Sequence, residues 1–171
     1  TGGITCERGI KEMIQAFEFV DAKLLLAGPV DDQTFLEELK GLNSWSKVEF
    51  FGLVDRVKLG DIMSRSIAGL VLFLDQPNHI NAQPNKIFEY MSSQTAVVGS
   101  NFPLWKELIE NNKAGLCVNP ERPKEIAEAL QYLMDNNDVA LQMGEAGFKA
   151  VNSIYNWKSQ EQKILKVYQK L

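Results

Sequence analysis

Asn78-His-Ile-Asn-Ala-Gln-Pro-Asn-Lys-Ile-Phe-Glu-Tyr-Met91 lies between two apolar runs, Ala68-Gly-Leu-Val-Leu-Phe-Leu74 and Thr95-Ala-Val-Val-Gly99. Both runs are short and unbroken, the pattern of a strand buried on both faces. The segment between them reads as a polar loop, Asn78–Pro84, followed by a helix opening at Pro84. Proline suits a first helical position, because its missing N–H is one that would be left unpaired there. Ile87, Phe88 and Met91 are expected to face a sheet, while Asn85 and Glu89, four apart, share another face. Lys86 is the oddity. A cation in a first helical turn opposes the helix dipole, at a cost of roughly 0.3–1 kcal/mol when exposed. The same free N–H groups and positive potential favour an anion. Lys86 therefore reads either as a phosphate ligand or as a lysine whose stem covers apolar surface while its amine stays in water.

Composition bounds the answer. The 171 residues, 45% hydrophobic and 23% charged, suit one soluble globular domain with an ample core. The formal net charge of −4 gives no electrostatic footprint for nucleic acid. No apolar run reaches membrane-span length and no signal peptide stands at the start, so a cytoplasmic protein is expected. Cys6 and Cys117 are far apart, which suits two reduced thiols and no metal or redox spacing. Opening on Thr1-Gly-Gly inside a turn, without methionine, the chain reads as a piece of a longer protein.

The remaining segments alternate in type. Thr1–Gly9 is a glycine-rich turn that feeds a helix striped by Ile10, Met13, Ile14 and Phe17, with Arg8 at its entrance. Ala22–Ala27, Lys47–Gly52 and Gly115–Val118 read as further strands. Helices are expected from an Asp31-Asp32 cap to about Leu42, and near Val57–Ser64 with Leu59, Ile62 and Met63 inward. A helix carrying Leu104 and Leu108 follows Pro103, another is striped by Ile126, Ala129, Leu130 and Leu133, and two more fill Asp138–Ser153 and Ser159–Lys170. Strands alternating with helices through short loops indicate an α/β domain: a doubly wound parallel sheet with helices on both faces. Such sheets bind ligands at the carboxyl ends of their strands. The Gly2-Gly3 turn, the Gly52–Asp55 turn and the Asn78–Pro84 loop each read as following a strand, so all three open on one edge.

Arg8 and Lys86, each at a helix entrance on that edge, suggest an anion site. Glu89 would lie about one turn deeper, where its carboxylate could accept two hydrogen bonds from a vicinal diol. A diphosphate beside a ribose fits both, although a plain Gly-Gly turn with a solvated arginine is the simpler account of the first site. The sequence has no P-loop, no G-x-G-x-x-G, no serine elbow and no clustered metal ligands. His79, the single histidine, could touch a substrate or be incidental.

The chain resembles the C-terminal, donor-binding half of a family 4 (group 1) glycosyltransferase of the GT-B fold, a Rossmann-like architecture. The resemblance covers nearly the whole chain. It rests on Gly3-Ile-Thr-Cys-Glu-Arg-Gly9, Leu26-Ala-Gly28, Val48-Glu-Phe-Phe-Gly52-Leu-Val54, Pro84-Asn-Lys-Ile-Phe-Glu89-Tyr-Met and Gly115-Leu-Cys-Val118. It implies a single nucleotide-sugar-binding domain over residues 1–171, taken from a two-domain enzyme whose N-terminal acceptor domain is missing here. It also implies retaining transfer of a sugar from a nucleotide-diphosphate donor to a glycan or lipid-linked acceptor, with no metal and no cofactor. By resemblance Arg8 takes the place of the basic diphosphate ligand, Glu89 matches the second, ribose-binding glutamate of an E-x7-E signature, and Val54 lies where family backbone contacts the base. Two positions depart from the pattern. Asn81 replaces the first signature glutamate beside the donor sugar, and Gly3 replaces a frequent arginine of the diphosphate-binding turn, a lost charge that Lys86 could restore. The alternatives are a nucleotide-sugar epimerase of the same fold or a regulatory module such as a phosphoacceptor receiver, which needs an acidic pair after its first strand and an aspartate after its third; Asp31-Asp32 follow Gly-Pro and lack such company. The last helix places Lys163, Lys166 and Lys170 on one side and Ile164, Tyr168 and Leu171 on another. That lysine face reads as solvated, with peripheral association at the inner face of a membrane as the second reading.

Overall fold

The computed structural model describes residues 1–169, with the side chains of Gln162, Lys163 and Lys166 left out of that description. A short 3-10 turn, Cys6–Arg8, leads into helix α1 (Ile10–Ala16), strand β1 (Leu24–Ala27), α2 (Gln33–Lys40), β2 (Val48–Gly52) and α3 (Arg56–Ser64). The second half runs β3 (Ala68–Val71), α4 (Pro77–Ile80), α5 (Asn85–Ser92), β4 (Ala96–Ser100), α6 (Pro103–Ile109) and β5 (Gly115–Val118), closing on α7 (Pro123–Asp135), α8 (Asn137–Ser153) and α9 (Trp157–Tyr168).

Local chemistry sets several boundaries. Asp32 caps α2 by accepting from the N–H groups of Thr34 and Phe35 at 2.9 and 3.1 Å. Asp55 caps α3 through the Lys58 N–H at 2.8 Å, and Asn156 caps α9 through that of Ser159 at 2.9 Å. Pro84 stands one position earlier than the sequence suggested. Its extended ψ of 130° makes it the N-cap of α5, outside the helix. The segment read as a loop from Asn78 contains the single turn α4, which Pro77 starts with its preset φ.

All strand pairs are parallel. β4 lies between β3 and β5, so that Val97 pairs with Gly69 on one side and Gly115 on the other. β1 pairs with β2, and the ladder slips by one residue at Leu26/Ala27. These are two hydrogen-bonded pieces, β1-β2 and β3-β4-β5, rather than one continuous sheet. No strand precedes Gly2 among the described residues; the first turn reaches the expected edge because the Gly2 N–H donates to the Ala27 carbonyl at 2.8 Å.

Alternation along β4 divides the core in two. Ala96 and Val98 pack with α1, α2 and α7, through residues such as Ile14, Leu39 and Leu130. Val97 packs on the opposite face with Met63 of α3, Ile87 and Met91 of α5, and Trp105 and Ile109 of α6. The helices therefore cover both faces, as the apolar strands require. Trp105 is fully buried, sits edge-on to Phe73 and Phe102, and donates its Nε1–H to the Ala82 carbonyl at 2.8 Å. That bond pins the segment between α4 and α5.

Trp157 and Tyr168 are exposed on α9, and no helix of the described residues is long and apolar enough to cross a membrane. The expected lysine face falls on the side chains of Lys163 and Lys166 and on Lys170, all outside the described residues.

Trp105→Phe keeps the aromatic contacts but leaves the Ala82 carbonyl without its donor. It is expected to lower unfolding stability by about 1–3 kcal/mol, the cost of an unmet buried polar group. Urea denaturation reads the change, and an unaltered midpoint would mean that the loop is held by something else.

Candidate functional site

Hydrogen bonds from the Gly2 and Ile4 N–H groups to the carbonyls of Ala27 and Pro29, at 2.8 and 2.9 Å, lay the first turn along the end of β1. The chain then passes through Arg8 and the left-handed Gly9 into α1. Arg8 folds back over this turn. Its Nη1 donates to the Gly3 carbonyl at 3.3 Å, and its guanidinium lies 5.5 Å from the centre of the Phe73 ring, within cation–π range.

Lys86 arrives at the same place from the first turn of α5. A β-carbon on Gly2 would overlap Lys86 Nζ and lie 3.4 Å from Arg8 Nη1. Gly2 also has φ 107°, so both space and backbone select glycine there. Arg8 and Lys86 thus crowd one point, and neither joins an ion pair among the described residues. Burial pushes the Lys86 amine from 10.5 down to about 8; Glu89 pulls the other way, and Arg8 adds to the lowering.

Glu89 is exposed, three residues beyond Lys86 and hence on a neighbouring part of the same helix surface. Its side chain makes no hydrogen bond or ion pair among the described residues, so both carboxylate oxygens can accept. Val54 follows β2 at the same edge, half-buried between the exposed Leu53 and Asp55. The Gly28 N–H bonds the Gly52 carbonyl at 2.7 Å, which holds this turn against the end of β1. Asn81 terminates α4 and is exposed. Arg8, Gly3 and Lys86 therefore come together, with Glu89 one turn on, whereas no hydrogen bond links Val54 or Asn81 to them.

His79 has partners. Its Nδ1 lies 3.1 Å from the Leu74 carbonyl, which can only accept, so Nδ1 carries the proton. Its ring packs on Phe73 with centroids 4.9 Å apart. Phe73 is thus a shared platform for Arg8, His79 and Trp105, hidden in the sequence inside an apolar run. Tyr90 is the other residue that the sequence reading passed over. It is buried, its Oη accepts from the Thr1 amine at 3.0 Å, and burial raises its phenol to about 12. The signal was present in the i, i+3, i+4 spacing of Ile87, Tyr90 and Met91, which together form the buried stripe of α5. Of the Asp31-Asp32 pair, Asp32 is occupied as the cap of α2.

Two cavities border the edge. One of about 350 Å³ passes beneath Gly2, Arg8 and Lys86 and continues between β1 and β3; its walls are mostly apolar, so it is not itself an anion site. The other, about 280 Å³, opens past β4 and β5 between Asp75, Ile80, Asn101, Asn119 and Glu121.

Residues 2–150 match the sequence profile of the glycosyl transferases group 1. The chain belongs to this family. An α-D-kanosaminyltransferase of Streptomyces kanamyceticus is 24% identical over 179 residues, covering 99% of this chain and 44% of that protein. An uncharacterized glycosyltransferase of Methanocaldococcus jannaschii is 26% identical over 172 residues, covering 98% of this chain and 43% of its own length. The group 1 chain described here therefore spans less than half of these relatives. Among solved structures, the C-terminal domain of the group 1 protein LpcC from Francisella tularensis superposes with a TM-score of 0.75 at 20% identity, over 92% of this chain and 84% of that one. Anabaena HepE, solved in complex with UDP, superposes with a TM-score of 0.85 at 16% identity, over 99% of this chain and 48% of HepE. The fold is that of the C-terminal domain of a GT-B glycosyltransferase.

The lowered Lys86 amine makes stability depend on pH. Its charged form is disfavoured in the fold, so the unfolded chain binds the extra proton between about pH 8 and 10.5, and Lys86 makes the fold more stable as pH rises through that window. Lys86→Met is expected to remove this rise and to stabilise the unliganded protein below pH 8. Urea midpoints of both proteins at pH 7 and pH 10 check it: a constant difference between them would contradict the lowered amine.

Proposed function

We propose that this chain is the donor-binding half of a retaining group 1 glycosyltransferase that takes its sugar from a nucleotide diphosphate. One observation carries the proposal: Arg8 and Lys86 converge without a carboxylate partner over the backbone of Gly2 and Gly3. A diphosphate offers the charge that these two cations lack. As the bond between sugar and phosphate breaks, negative charge grows on the leaving diphosphate, and cations already in position stabilise it.

The other assignments follow from the diphosphate. Glu89 accepts from the ribose diol, and the backbone at Val54 borders the base. Asn81 stands near the donor sugar as a hydrogen-bonding group, since an amide does not titrate in this range. The cavity lined by Asp75, Asn101 and Asn119 offers hydroxyl acceptors beside Ile80, the residue before Asn81. No metal is needed to neutralise the diphosphate in this arrangement. HepE, which shares the fold, has been solved with UDP-glucose, and a relative is an α-D-kanosaminyltransferase; both support a nucleotide-sugar donor carrying a hexosyl group. The acceptor, a glycan or lipid-linked hydroxyl, would be held by a second domain across the donor edge.

Titration calorimetry with a nucleoside diphosphate and its parent nucleoside tests these roles. Glu89→Gln is expected to weaken both ligands by about 1.5–3 kcal/mol, the range for hydrogen bonds to a charged group. Arg8→Ala and Lys86→Ala are expected to weaken the diphosphate while hardly changing the nucleoside. Equal losses for the two ligands would place the phosphates elsewhere. By itself the chain is expected to bind donor and transfer no sugar, because transfer needs an acceptor fixed about 3–3.5 Å from the sugar carbon.

A further inference from the structure

Phe73 stands just past the end of β3 and serves three partners. Trp105 meets it edge-on at 5.4 Å, the Arg8 guanidinium lies 5.5 Å from its ring centre, and the His79 ring packs on it at 4.9 Å. Trp105 is structural and Arg8 is one of the two converging cations, which leaves His79 without a role. The Glu7 carboxyl lies at the same junction. It is held below its usual range, by its own backbone N–H and the Thr5 hydroxyl first, and by His79 and Arg8 after them.

His79 is held at two points. Its Nδ1–H donates to the Leu74 carbonyl at 3.1 Å while its ring rests on Phe73, so both the place and the orientation of the imidazole are set. With the proton on Nδ1, the neutral ring keeps its lone pair on Nε2, which then accepts. Nε2 has no hydrogen-bond partner among the described residues. Nor does His79 belong to a group of three His, Cys, Asp or Glu residues, among those described, that could hold a metal. A half-buried acceptor fixed in this way is suited to a hydroxyl donor.

We propose that His79 is a sugar-selecting residue, whose Nε2 accepts a hydrogen bond from a hydroxyl of the donor sugar. The inference rests on the diphosphate reading above, because the diphosphate fixes where the sugar begins. Arg8 lies on one side of the junction. On the other, Asp75 and Ile80, the residues that follow Leu74 and His79 in the chain, line the cavity of about 280 Å³. His79 thus stands between the cations and that cavity, on the path of a sugar ring joined to the second phosphate. Asn81, two residues on, ends the same short helix. A site that pairs a ring nitrogen with a hydroxyl disfavours a sugar lacking it, since the nitrogen is then left without a partner.

Two substitutions separate this role from a structural one. His79→Asn puts an amide N–H where Nδ1 was and keeps the Leu74 bond, but has nothing at the place of Nε2. His79→Gln carries its amide out to the place of Nε2 and gives up the Leu74 bond. Calorimetric titration of wild type and both variants with UDP, GDP, UDP-glucose and GDP-mannose reads the difference. His79→Asn is expected to weaken the sugar nucleotide that wild type binds by roughly 3- to 10-fold, the worth of one hydrogen bond, and to leave the matching diphosphate unchanged. His79→Gln is expected to keep more of the sugar-nucleotide affinity than His79→Asn. Unchanged sugar-nucleotide binding in His79→Asn overturns the proposal, as do equal losses for diphosphate and sugar nucleotide. So does the reverse order, with His79→Asn like wild type and His79→Gln impaired, which would mean that the ring only secures the end of β3. Failure of wild type to bind any of the four ligands is a different result: it contradicts the donor reading itself, and the role of His79 falls with it.

Discussion

Two cations that join no ion pair among the described residues, Arg8 and Lys86, stand over the backbone of Gly2 and Gly3, and the segments that carry them are held there from several sides. Like charges at this separation repel, the more so where the surroundings exclude water. Lys86 also opposes the dipole of the helix that carries it. Burial of Lys86 adds a desolvation cost that shows in its lowered value. The diphosphate proposed as ligand would offset this cost.

The fold supplies the restraint. α5 is fixed by Ile87, Tyr90 and Met91, all buried, and the Tyr90 ring fills the space left by Gly69, where a β-carbon would overlap it. Arg8 is fixed by Phe73, whose carbonyl receives the Ser100 hydroxyl at 2.7 Å and whose ring is backed by Trp105. The Leu74 N–H reaches across to the Glu7 carbonyl at 2.9 Å, tying the first turn to the end of β3. The cations therefore come from segments about eighty residues apart, yet both are seated by the same pair of neighbouring strands, β3 and β4. That is the practical advantage of a doubly wound sheet, whose strand ends collect loops from the whole chain at one edge.

The strands and most helices were legible because their signals are local: unbroken apolar runs for a sheet covered on both faces, and stripes such as Ile126, Ala129, Leu130 and Leu133 for α7. Arg8 and Lys86 were legible as cations placed against a helix dipole. What escaped depends on packing between distant segments. Phe73 looks like one more apolar residue until Arg8 and His79 are seen on its two sides. Phe88 was expected to face the sheet, but it is half-buried against Tyr155 with ring centres 5.2 Å apart, while Tyr90 goes inward, where its ring fills the space over Gly69. The division of the sheet was also invisible, since no pattern within one strand reveals which neighbour it lacks.

Amide chemical-shift mapping during a nucleoside-diphosphate titration tests the account most directly, because it locates the anion without altering any residue. The account predicts that the largest movements fall on Gly2, Gly3, Arg8 and Gly9 together with Asn85–Glu89, and that they shrink when added salt competes for the two cations. Movements centred elsewhere, such as on Asn101, Asn119 and Glu121 alone, or no movement at millimolar ligand, would contradict it.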